Sequence, residues 1–577
     1  MEHQSQDRLP RWIWVGLTGL VLMGVGACAR PITDPEQLIP DDRGLAVNFW
    51  VGSALGPFCS QVAVRFNQQQ PTLATGEPFY LACRALGSGD VVSEVITLAQ
   101  QLQMGSLSET ATNFPTLISV DGEIYLNQLR YQMEQLYPGE NSIPPLAETP
   151  LLAHSPMVFM TSEPLAAGLK SQDDLLKALV TADTHRDLDP ASPAQPIYYV
   201  HTAPNKSNSG LQILVAQFVA VTGKPPEVIA AEDVEAAQDG VRQIQAKITR
   251  YGHSTSSLAK SMVDNGPDWA SIASVYESSV IEANSRQGSG TKYVAVYPRA
   301  TFTSNMRAIV PNTPWVSPQE RAAAEQVIEY LRSVDIQRLA MDLGLRPGVP
   351  GLPLGPKFAP QFGVDPEAKY SSYLPPEPPV VEAMVKAWED VAKKPSLVVI
   401  VVDSSGSMQG DKMPAVQSTL ENYINSLRPQ DDVALIDFDT VIRPPLLADG
   451  TFEGQQRGED FISSLQVQGG TNLYDAALYA RDWLRQNRRS EAINAVLVLT
   501  DGRDSGSQIT LDQLSQELQT SSFTSGDRIA FFTVGYGEEE DFNPDVLIQI
   551  AKLNGGYYTQ GDPQTIERLM ADLQLEF

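Results

Sequence analysis

The order of apolar and polar positions predicts alternating strands and helices along most of the chain. Apolar runs that end in small polar turns predict strands, as in LAVNFWVG (45–52) and FYLACRAL (79–86). Apolar residues at helical spacing follow each run, as in PFCSQVAVRFNQQ (57–69) and VVSEVITLAQQLQ (91–103). Strand, turn and helix in repeated order is typical of parallel sheets covered by helices, so the sequence predicts an α/β protein.

The alternation is clearest in the last third of the chain. SLVVIVV (396–402) is a continuous apolar run rich in β-branched residues, which suits a strand buried on both faces. INAVLVLT (493–500) and RIAFFTVG (528–535) repeat this signal, and helical patterns lie between the strands. The pattern predicts a doubly wound, Rossmann-like sheet, which binds ligands at the carboxyl ends of its strands.

A proline-dense stretch at 346–379 divides the chain, because such a sequence suits an extended connector or a surface wrap. A helical pattern follows it. With 577 residues the chain is too long for one hydrophobic core. We therefore expect an α/β domain at 45–345, a proline-rich linker and helix at 346–394, and a second α/β domain at 395–577.

The N-terminus carries an export signal. Two arginines precede the apolar run 12–27, and small residues lead into Cys28. The stretch VGAC (25–28) resembles the lipobox of bacterial lipoproteins, which implies a signal peptide at 1–28, lipidation of Cys28 and a tether at 29–44. An uncleaved signal anchor is the alternative, although the run is short for a spanning helix, which needs about 20 apolar residues. Either interpretation places the body of the chain outside the cytoplasm, in a bacterial periplasm or at the cell surface.

Two cysteines remain, Cys59 and Cys83. An even number in an oxidising compartment allows a disulfide, and two buried free thiols are the alternative, because spacing alone does not establish bonding geometry.

The charge is strongly acidic. The net charge of −28 argues against nucleic acid as a partner, because phosphate binding needs clustered Lys and Arg. Residues 395–577 hold 12 Lys and Arg against 28 Asp and Glu, a net charge of −16. A divalent cation suits such a surface, and simple solubility is the other interpretation.

One motif in the C-terminal domain points to a metal. Asp403, Ser405 and Ser407 follow a predicted buried strand, Thr471 lies in a glycine-rich loop before a helix, and Asp501 follows another strand. Turn formation and helix capping are the simpler roles for Asp and Ser. The five residues in this order resemble the metal-ion-dependent adhesion site of von Willebrand factor A domains, over about 180 residues. Hydroxyl and carboxylate oxygens favour Mg²⁺, with Ca²⁺ or Mn²⁺ as alternatives.

The resemblance implies a role for each residue. Ser405, Ser407 and Thr471 would offer hydroxyl oxygens directly, and Asp403 and Asp501 would act directly or through water. In the family a carboxylate of a partner protein takes the open metal position, so we expect cation-dependent protein binding. A nucleophilic serine needs a base, and the chain has no histidine after residue 253, so we expect no enzyme activity.

Residues 45–345 resemble the two-lobed periplasmic solute-binding protein fold, with an apparent crossover strand near 155–163. The resemblance implies one lobe at about 45–154 plus 290–345, another at 155–289, and a small solute between them. It also leaves open a role in an ABC-type importer with the C-terminal domain as an accessory. Turns that open helices attract anions and hydroxyl-bearing residues add directed bonds there, although helix capping explains the same serines. The candidate solute-binding residues are Ser53, Ser88, Ser209 and Tyr276.

Overall fold

The computed structural model describes most of the chain after the N-terminal segment. The described ranges are 44–111, 114–286, 290–537, 542–563 and 565–577. The predicted signal peptide at 1–28, the tether and the lipidation site Cys28 lie outside the described residues. Within the described ranges, no helix is both long enough and apolar enough to span a bilayer.

Short strands and helices alternate through the N-terminal domain and the joint, as the sequence predicts. The strands are β1 (Leu45–Gly52), β2 (Phe79–Leu86), β3 (Leu117–Ser119), β4 (Leu151–Ser162), β5 (Tyr199–Thr202), β6 (Ile248–Gly252), β7 (Ile272–Tyr276), β8 (Tyr293–Val296), β9 (Ala300–Thr301), β10 (Thr303–Arg307), β11 (Arg346–Pro347) and β12 (Ser371–Ser372). The helices are α1 (Gly56–Asn67), α2 (Ser88–Gln103), α3 (Glu123–Leu136), α4 (Ala166–Lys170), α5 (Leu175–Leu179), α6 (His185–Leu188), α7 (Asn208–Thr222), α8 (Ala231–Gln245), α9 (Thr255–Asn265), α10 (Glu277–Ser285), α11 (Pro318–Leu331), α12 (Val334–Asp342) and α13 (Pro378–Ala387).

The first sheet is parallel and has the order β2-β1-β3. Its inward residues, including Val47 and Phe49, are fully buried against α1, and Cys59 of that helix is joined to Cys83 of β2 in a disulfide with Cα atoms 6.0 Å apart. The apolar positions at helical spacing in α1 therefore face the strands that precede and follow it.

Strand β4 connects two lobes. Its first half pairs with β10 and β11, and its second half pairs antiparallel with β7 and β8. We therefore place the first lobe at 44–156 with 303–345 and the second lobe at 157–302. The resemblance implied a first lobe that includes 290–345 and therefore β8, but the pairing of β8 with the second half of β4 places it in the second lobe.

The C-terminal domain is a doubly wound sheet with helices on both faces, as predicted. Its strands are β13 (Ser396–Asp403), β14 (Asp432–Phe438), β15 (Leu446–Asp449), β16 (Ile493–Thr500), β17 (Ala530–Tyr536) and β18 (Tyr558–Gly561). Its helices are α14 (Lys412–Asn425), α15 (Phe452–Ser464), α16 (Leu473–Asn487), α17 (Leu511–Gln519), α18 (Pro544–Leu553) and α19 (Ile566–Leu575). The sheet order is β15-β14-β13-β16-β17-β18, and only β15 is antiparallel to its neighbour among these strands.

Strand β13 lies at the centre of that sheet and is buried along its whole length. Val398 and Ile400 join one apolar cluster with α14, whereas Val399 and Val401 join a second cluster with α16. Alternate side chains of a strand point to opposite faces, so a continuous apolar run is what a strand between two helix layers requires.

The proline-rich joint wraps over the N-terminal domain. Its strand β12 pairs with β9, and the Tyr370 ring stacks on Tyr297 with centroids 6.2 Å apart. Helix α13 then packs against α3 of the first lobe and against α7 and α8 of the second lobe. The joint is therefore a surface wrap that contacts both lobes, one of the two roles its proline content suggested.

Candidate functional site

The carboxyl ends of the central strands carry the predicted metal residues. Asp403 is the last residue of β13, and Asp501 directly follows β16. These strands are parallel neighbours in register, with Val402 opposite Leu499, so both carboxylates emerge at the same edge of the sheet. Thr471 lies one residue before Asn472, the residue that opens α16.

Four of the five predicted oxygen donors lie close to one another. The hydroxyls of Ser405 and Ser407 are 2.9 Å apart, and Ser407 Oγ donates to Asp501 Oδ1 at 2.7 Å. A Cβ placed on Gly502 would lie 3.0 Å from Thr471 Oγ1 and 3.5 Å from Ser407 Oγ, so both hydroxyls border this glycine. Ser407 is exposed, so the group is open to solvent on one side.

Asp403 is fully buried beneath this group. Its Oδ1 accepts the backbone N–H of Ser405 at 2.9 Å, and its Oδ2 accepts the hydroxyl of Thr500 at 2.5 Å. Burial raises the pKa of Asp403 to about 6, and the nearby Asp501 also acts to raise this pKa. The hydrogen bonds act in the opposite direction, because they favour the charged carboxylate. Through these hydrogen bonds Asp403 fixes the loop that follows β13 and joins it to β16.

Lys412 belongs to the same site, although it is not among the five residues predicted from the motif. Its ammonium lies 2.7 Å from Asp501 Oδ2, where the carboxylate is fully buried and the lysine is about a quarter exposed. The signal was present, since Lys412 is the first basic residue after the motif and begins α14. The lysine gives Asp501 a cationic partner on the side away from Ser407.

A second tier of polar residues supports the loops. The Ser404 hydroxyl donates to Asp437, and Arg443 pairs with both Asp437 and Asp439 at 3.0 and 2.8 Å. The backbone of the motif is tied to the threonine loop, because Gly406 N–H donates to the carbonyl of Gly469 at 3.1 Å. Asp437 and Asp439 lie at the end of β14, a position that the strand-end argument would also have identified.

The donor set fits a hard divalent cation. It consists of carboxylate and hydroxyl oxygens, which Mg²⁺, Ca²⁺ and Mn²⁺ prefer over nitrogen or sulfur. Across the described ranges, no group of three or more His, Cys, Asp and Glu side chains is placed to hold a metal. The five predicted residues contain only two carboxylates, so a site built from them depends on its hydroxyls.

A second polar cluster joins the two lobes of the N-terminal domain. Ser88 Oγ accepts the backbone N–H of Asp121 at 3.0 Å, and Tyr276 OH accepts from Asn208 Nδ2 at 3.0 Å. Ser209 Oγ lies 2.8 Å from the hydroxyl of Thr202. The structure therefore places three of the four candidate residues, Ser88, Ser209 and Tyr276, in one buried region.

The fourth candidate, Ser53, is half-buried in the turn before α1. Its carbonyl accepts the N–H of Gly56 at 3.3 Å, and the neighbouring Ala54 N–H donates to Asp121 Oδ2 at 3.2 Å. The turn that contains Ser53 thus contacts the cluster through Ala54.

Asp121 and Asn208 are central to this cluster, and neither is among the four residues predicted from the sequence. Asn208 Nδ2 lies 3.1 Å from the carbonyl of Asp121 in the first lobe and 3.0 Å from Ser304 Oγ. Asp121 follows β3 closely and Asn208 opens α7, so the strand-end and helix-start rules could have identified both.

Comparison with known proteins agrees with this architecture. A family model described as bacterial extracellular solute-binding protein matches residues 65–368, and one described as von Willebrand factor type A domain matches residues 398–503. Human inter-alpha-trypsin inhibitor heavy chain H4 is 29% identical over 177 residues, which cover 30% of this chain and 18% of the relative. The chain therefore spans less than a fifth of that relative's length.

Solved structures resemble each half. A periplasmic thiamin binding protein is similar at 14% identity and a TM-score of 0.42, covering 61% of this chain and 98% of that chain. A von Willebrand factor type A protein from Catenulispora acidiphila is similar at 23% identity and a TM-score of 0.28, covering 32% of this chain and 43% of that chain. Since the first family model matches more than half of the 577 residues, the chain belongs to the bacterial extracellular solute-binding proteins and carries a von Willebrand factor type A domain after that module.

Proposed function

We propose that the protein is an extracytoplasmic binding protein whose type A domain captures another protein through a divalent cation, Mg²⁺ in the first place. The observation that carries the proposal is the convergence of Ser405, Ser407 and Asp501 at the carboxyl end of the sheet, with oxygen contacts of 2.9 and 2.7 Å. A bound cation would supply an electrophilic position for a carboxylate of the partner protein.

The protein's own residues make this edge suitable for such a ligand. Hydroxyls add no negative charge, so three of the five donors leave the cation's charge available to a partner. Asp403 is held by Thr500 and by the backbone of Ser405, which fixes the loop before any ligand arrives. Lys412 offsets part of the negative charge of Asp501.

Direct metal binding tests the proposal. We expect isothermal titration calorimetry with MgCl₂ to show binding that weakens at least tenfold in Ser405→Ala and in Thr471→Ala. Ser464→Ala is the matched control, because Ser464 ends α15 and its hydroxyl donates to the carbonyl of Phe461 in the same helix, at 2.7 Å. Equal Mg²⁺ affinity in all four proteins would refute the site. Circular dichroism spectra show whether the variants remain folded.

Partner capture is the second readout. Immobilised wild-type protein should retain an acidic protein partner from the cell envelope in Mg²⁺ and release it with a chelator, whereas Asp403→Ala should retain none while remaining folded. Retention that survives both the chelator and the substitution would contradict cation-dependent binding. Catalysis forms no part of this proposal, since no histidine follows residue 253 to serve as a base for Ser405 or Ser407.

We also propose that a lipid on Cys28 holds the protein at the membrane, on the basis of the VGAC sequence. The test is metabolic labelling with a fatty acid, which should mark the wild type and leave Cys28→Ser unlabelled. Equal labelling of both proteins would refute the lipid anchor, and a band that retains residues 1–28 would support the uncleaved signal anchor.

Solute binding by the N-terminal domain is the second candidate function, and the cluster between the lobes favours it. Asn208 of the second lobe contacts Asp121 of the first lobe, so the region where the lobes meet is lined by polar side chains. In this role the protein would act as the solute-binding component of an ABC-type importer, with the type A domain as an accessory. A thermal shift with a small solute, lost in Asn208→Ala, would support this role.

A further inference from the structure

The meeting place of the lobes already contains a carboxylate where an anionic solute would be expected. The turn that leads into the 12-residue helix α1 contacts Asp121, whose Oδ2 accepts the N–H of Ala54 at 3.2 Å. The carboxylate also packs on Gly52, because a Cβ at that position would overlap both carboxylate oxygens. The turn at this helix start, where N–H groups could attract an oxyanion, is therefore occupied by the protein's own side chain.

The same cluster has acceptors that lack donors. Asp121 is 2% exposed and Asn208 is 1% exposed. In the described part of the chain, no residue donates a hydrogen bond to Asp121 Oδ1 or to Asn208 Oδ1. Buried acceptors without donors are unfavourable, and a ligand that supplies N–H groups would satisfy them.

We propose that the polar cluster where the lobes meet takes a small solute that carries a protonated amine, with Asp121 as its charged acceptor and Asn208 as its neutral acceptor. This inference rests on the solute-binding role proposed above and names the class of solute. The phenol of Tyr276 belongs to the same cluster, since Asn208 Nδ2 lies 3.0 Å from its oxygen. Phosphate and sulfate are disfavoured, because their charge would lie beside that of Asp121.

Electrostatics supports this choice. Burial raises the pKa of Asp121 to about 7. The backbone N–H of Ala54 and the Ser88 side chain act in the opposite direction, because they favour the charged carboxylate. An ammonium group nearby favours the charged form of a carboxyl, so binding of the amine would restore the carboxylate that burial disfavours.

Polar contacts beyond those of Asn208 also join the lobes near the cluster. Tyr125 OH donates to the carbonyl of Pro204 at 2.9 Å, and Gly89 N–H donates to the carbonyl of Lys206 at 3.0 Å. The Lys206 ammonium lies 2.6 Å from Asp90 in an ion pair that is more than 30% exposed on both sides. Each of these contacts joins the first lobe to the second, so a solute that reaches the cluster would require the lobes to separate and break them.

Isothermal titration calorimetry with putrescine, ethanolamine, sulfate and phosphate tests the proposal on the whole protein. We expect at least one of the two amines to bind and neither anion to bind. Asp121→Asn keeps the size of the side chain and removes its charge, so it should weaken amine binding at least tenfold. Asp335→Asn is the matched control, since Asp335 is 86% exposed on α12 and should leave amine binding unchanged.

The outcomes separate the two proposals. Binding of sulfate or phosphate to the wild type would leave the solute-binding role standing and overturn the amine assignment. Amine binding that is equal in wild type and Asp121→Asn would also overturn the assignment. Binding of none of the four probes would overturn the amine assignment, and the thermal-shift test with other small solutes would then decide the solute-binding role.

Discussion

Arg528 fastens the type A domain to the second lobe, and its removal should loosen that contact. Its Nη1 donates to the carbonyl of Asp268 at 2.7 Å, and its Nη2 donates to the carbonyl of Trp269 at 2.8 Å. The guanidinium also lies 3.7 Å from the centre of the Tyr198 ring. Burial lowers the pKa of Arg528, and the carbonyls that accept its N–H groups offset the cost of removing the charge from water.

The expected effect follows from these contacts. A hydrogen bond from a charged donor contributes about 1.5–3 kcal/mol, so the two bonds across the contact contribute about 3–6 kcal/mol. The Tyr198 contact adds about 2 kcal/mol when it is shielded from water. Water can solvate the two carbonyls once the contact opens, and this recovers part of the lost free energy. We therefore expect Arg528→Ala to lower the free energy of unfolding by about 3 kcal/mol. In a domain of this size that lowers the unfolding temperature by about 6 °C or more.

Differential scanning calorimetry measures this effect. Arg528→Ala should unfold earlier than wild type and separate the unfolding of the type A domain from that of the solute-binding module. Arg528→Lys keeps the charge but cannot reach both carbonyls with one planar group, so its loss should be intermediate. Arg338→Ala is the control, because Arg338 and its partner Asp335 are both mostly exposed. An unfolding temperature of Arg528→Ala within 2 °C of wild type would refute the reasoning.

Two further predictions concern stability. Replacing both Cys59 and Cys83 with Ser should lower the free energy of unfolding in guanidinium by about 3 kcal/mol, because the disulfide closes a loop of 24 residues. A loss below about 1 kcal/mol would contradict this prediction. A reducing agent should not change the stability of the double variant. Burial lowers the pKa of His201 to about 4. Between pH 6.5 and pH 4 the unfolded chain therefore binds a proton at His201 that the folded protein does not, so the free energy of unfolding falls as the pH falls through this range. Between pH 7 and pH 5, urea unfolding of wild type should lose about 2 kcal/mol more than that of His201→Gln, and equal losses would show that His201 is already charged in the folded protein.

The fold was largely predictable because its signals are local. The predicted strands 45–52 and 79–86 coincide with β1 and β2, and the apolar run 396–402 forms all but the last residue of β13. A continuous apolar strand must be covered on both faces, which requires helices on both sides of a parallel sheet. The lobe boundary was wrong at β8, because only its pairing with β4 shows to which lobe it belongs.

The metal candidates were also accessible from the sequence. Asp403, Ser405 and Ser407 lie together in the chain, and Asp501 and Thr471 occupy a strand end and a helix start that a doubly wound sheet brings to one edge. Their role as cation ligands stays a prediction. Lys412 was missed because a lysine at a helix start has many possible partners, and only the folded chain shows its ammonium beside Asp501.

By itself the sequence determined the order of strands and helices, the division into two α/β regions and the residues at the carboxyl edge of the second sheet. Tertiary structure decided which distant residues meet. Asp121 and Asn208 are 87 positions apart and Arg528 and Trp269 are 259 positions apart, yet each pair is in hydrogen-bond contact. Periodicity along a chain reports the environment of each segment, whereas contacts between segments depend on how their faces pack, and packing brings together residues that no local pattern relates.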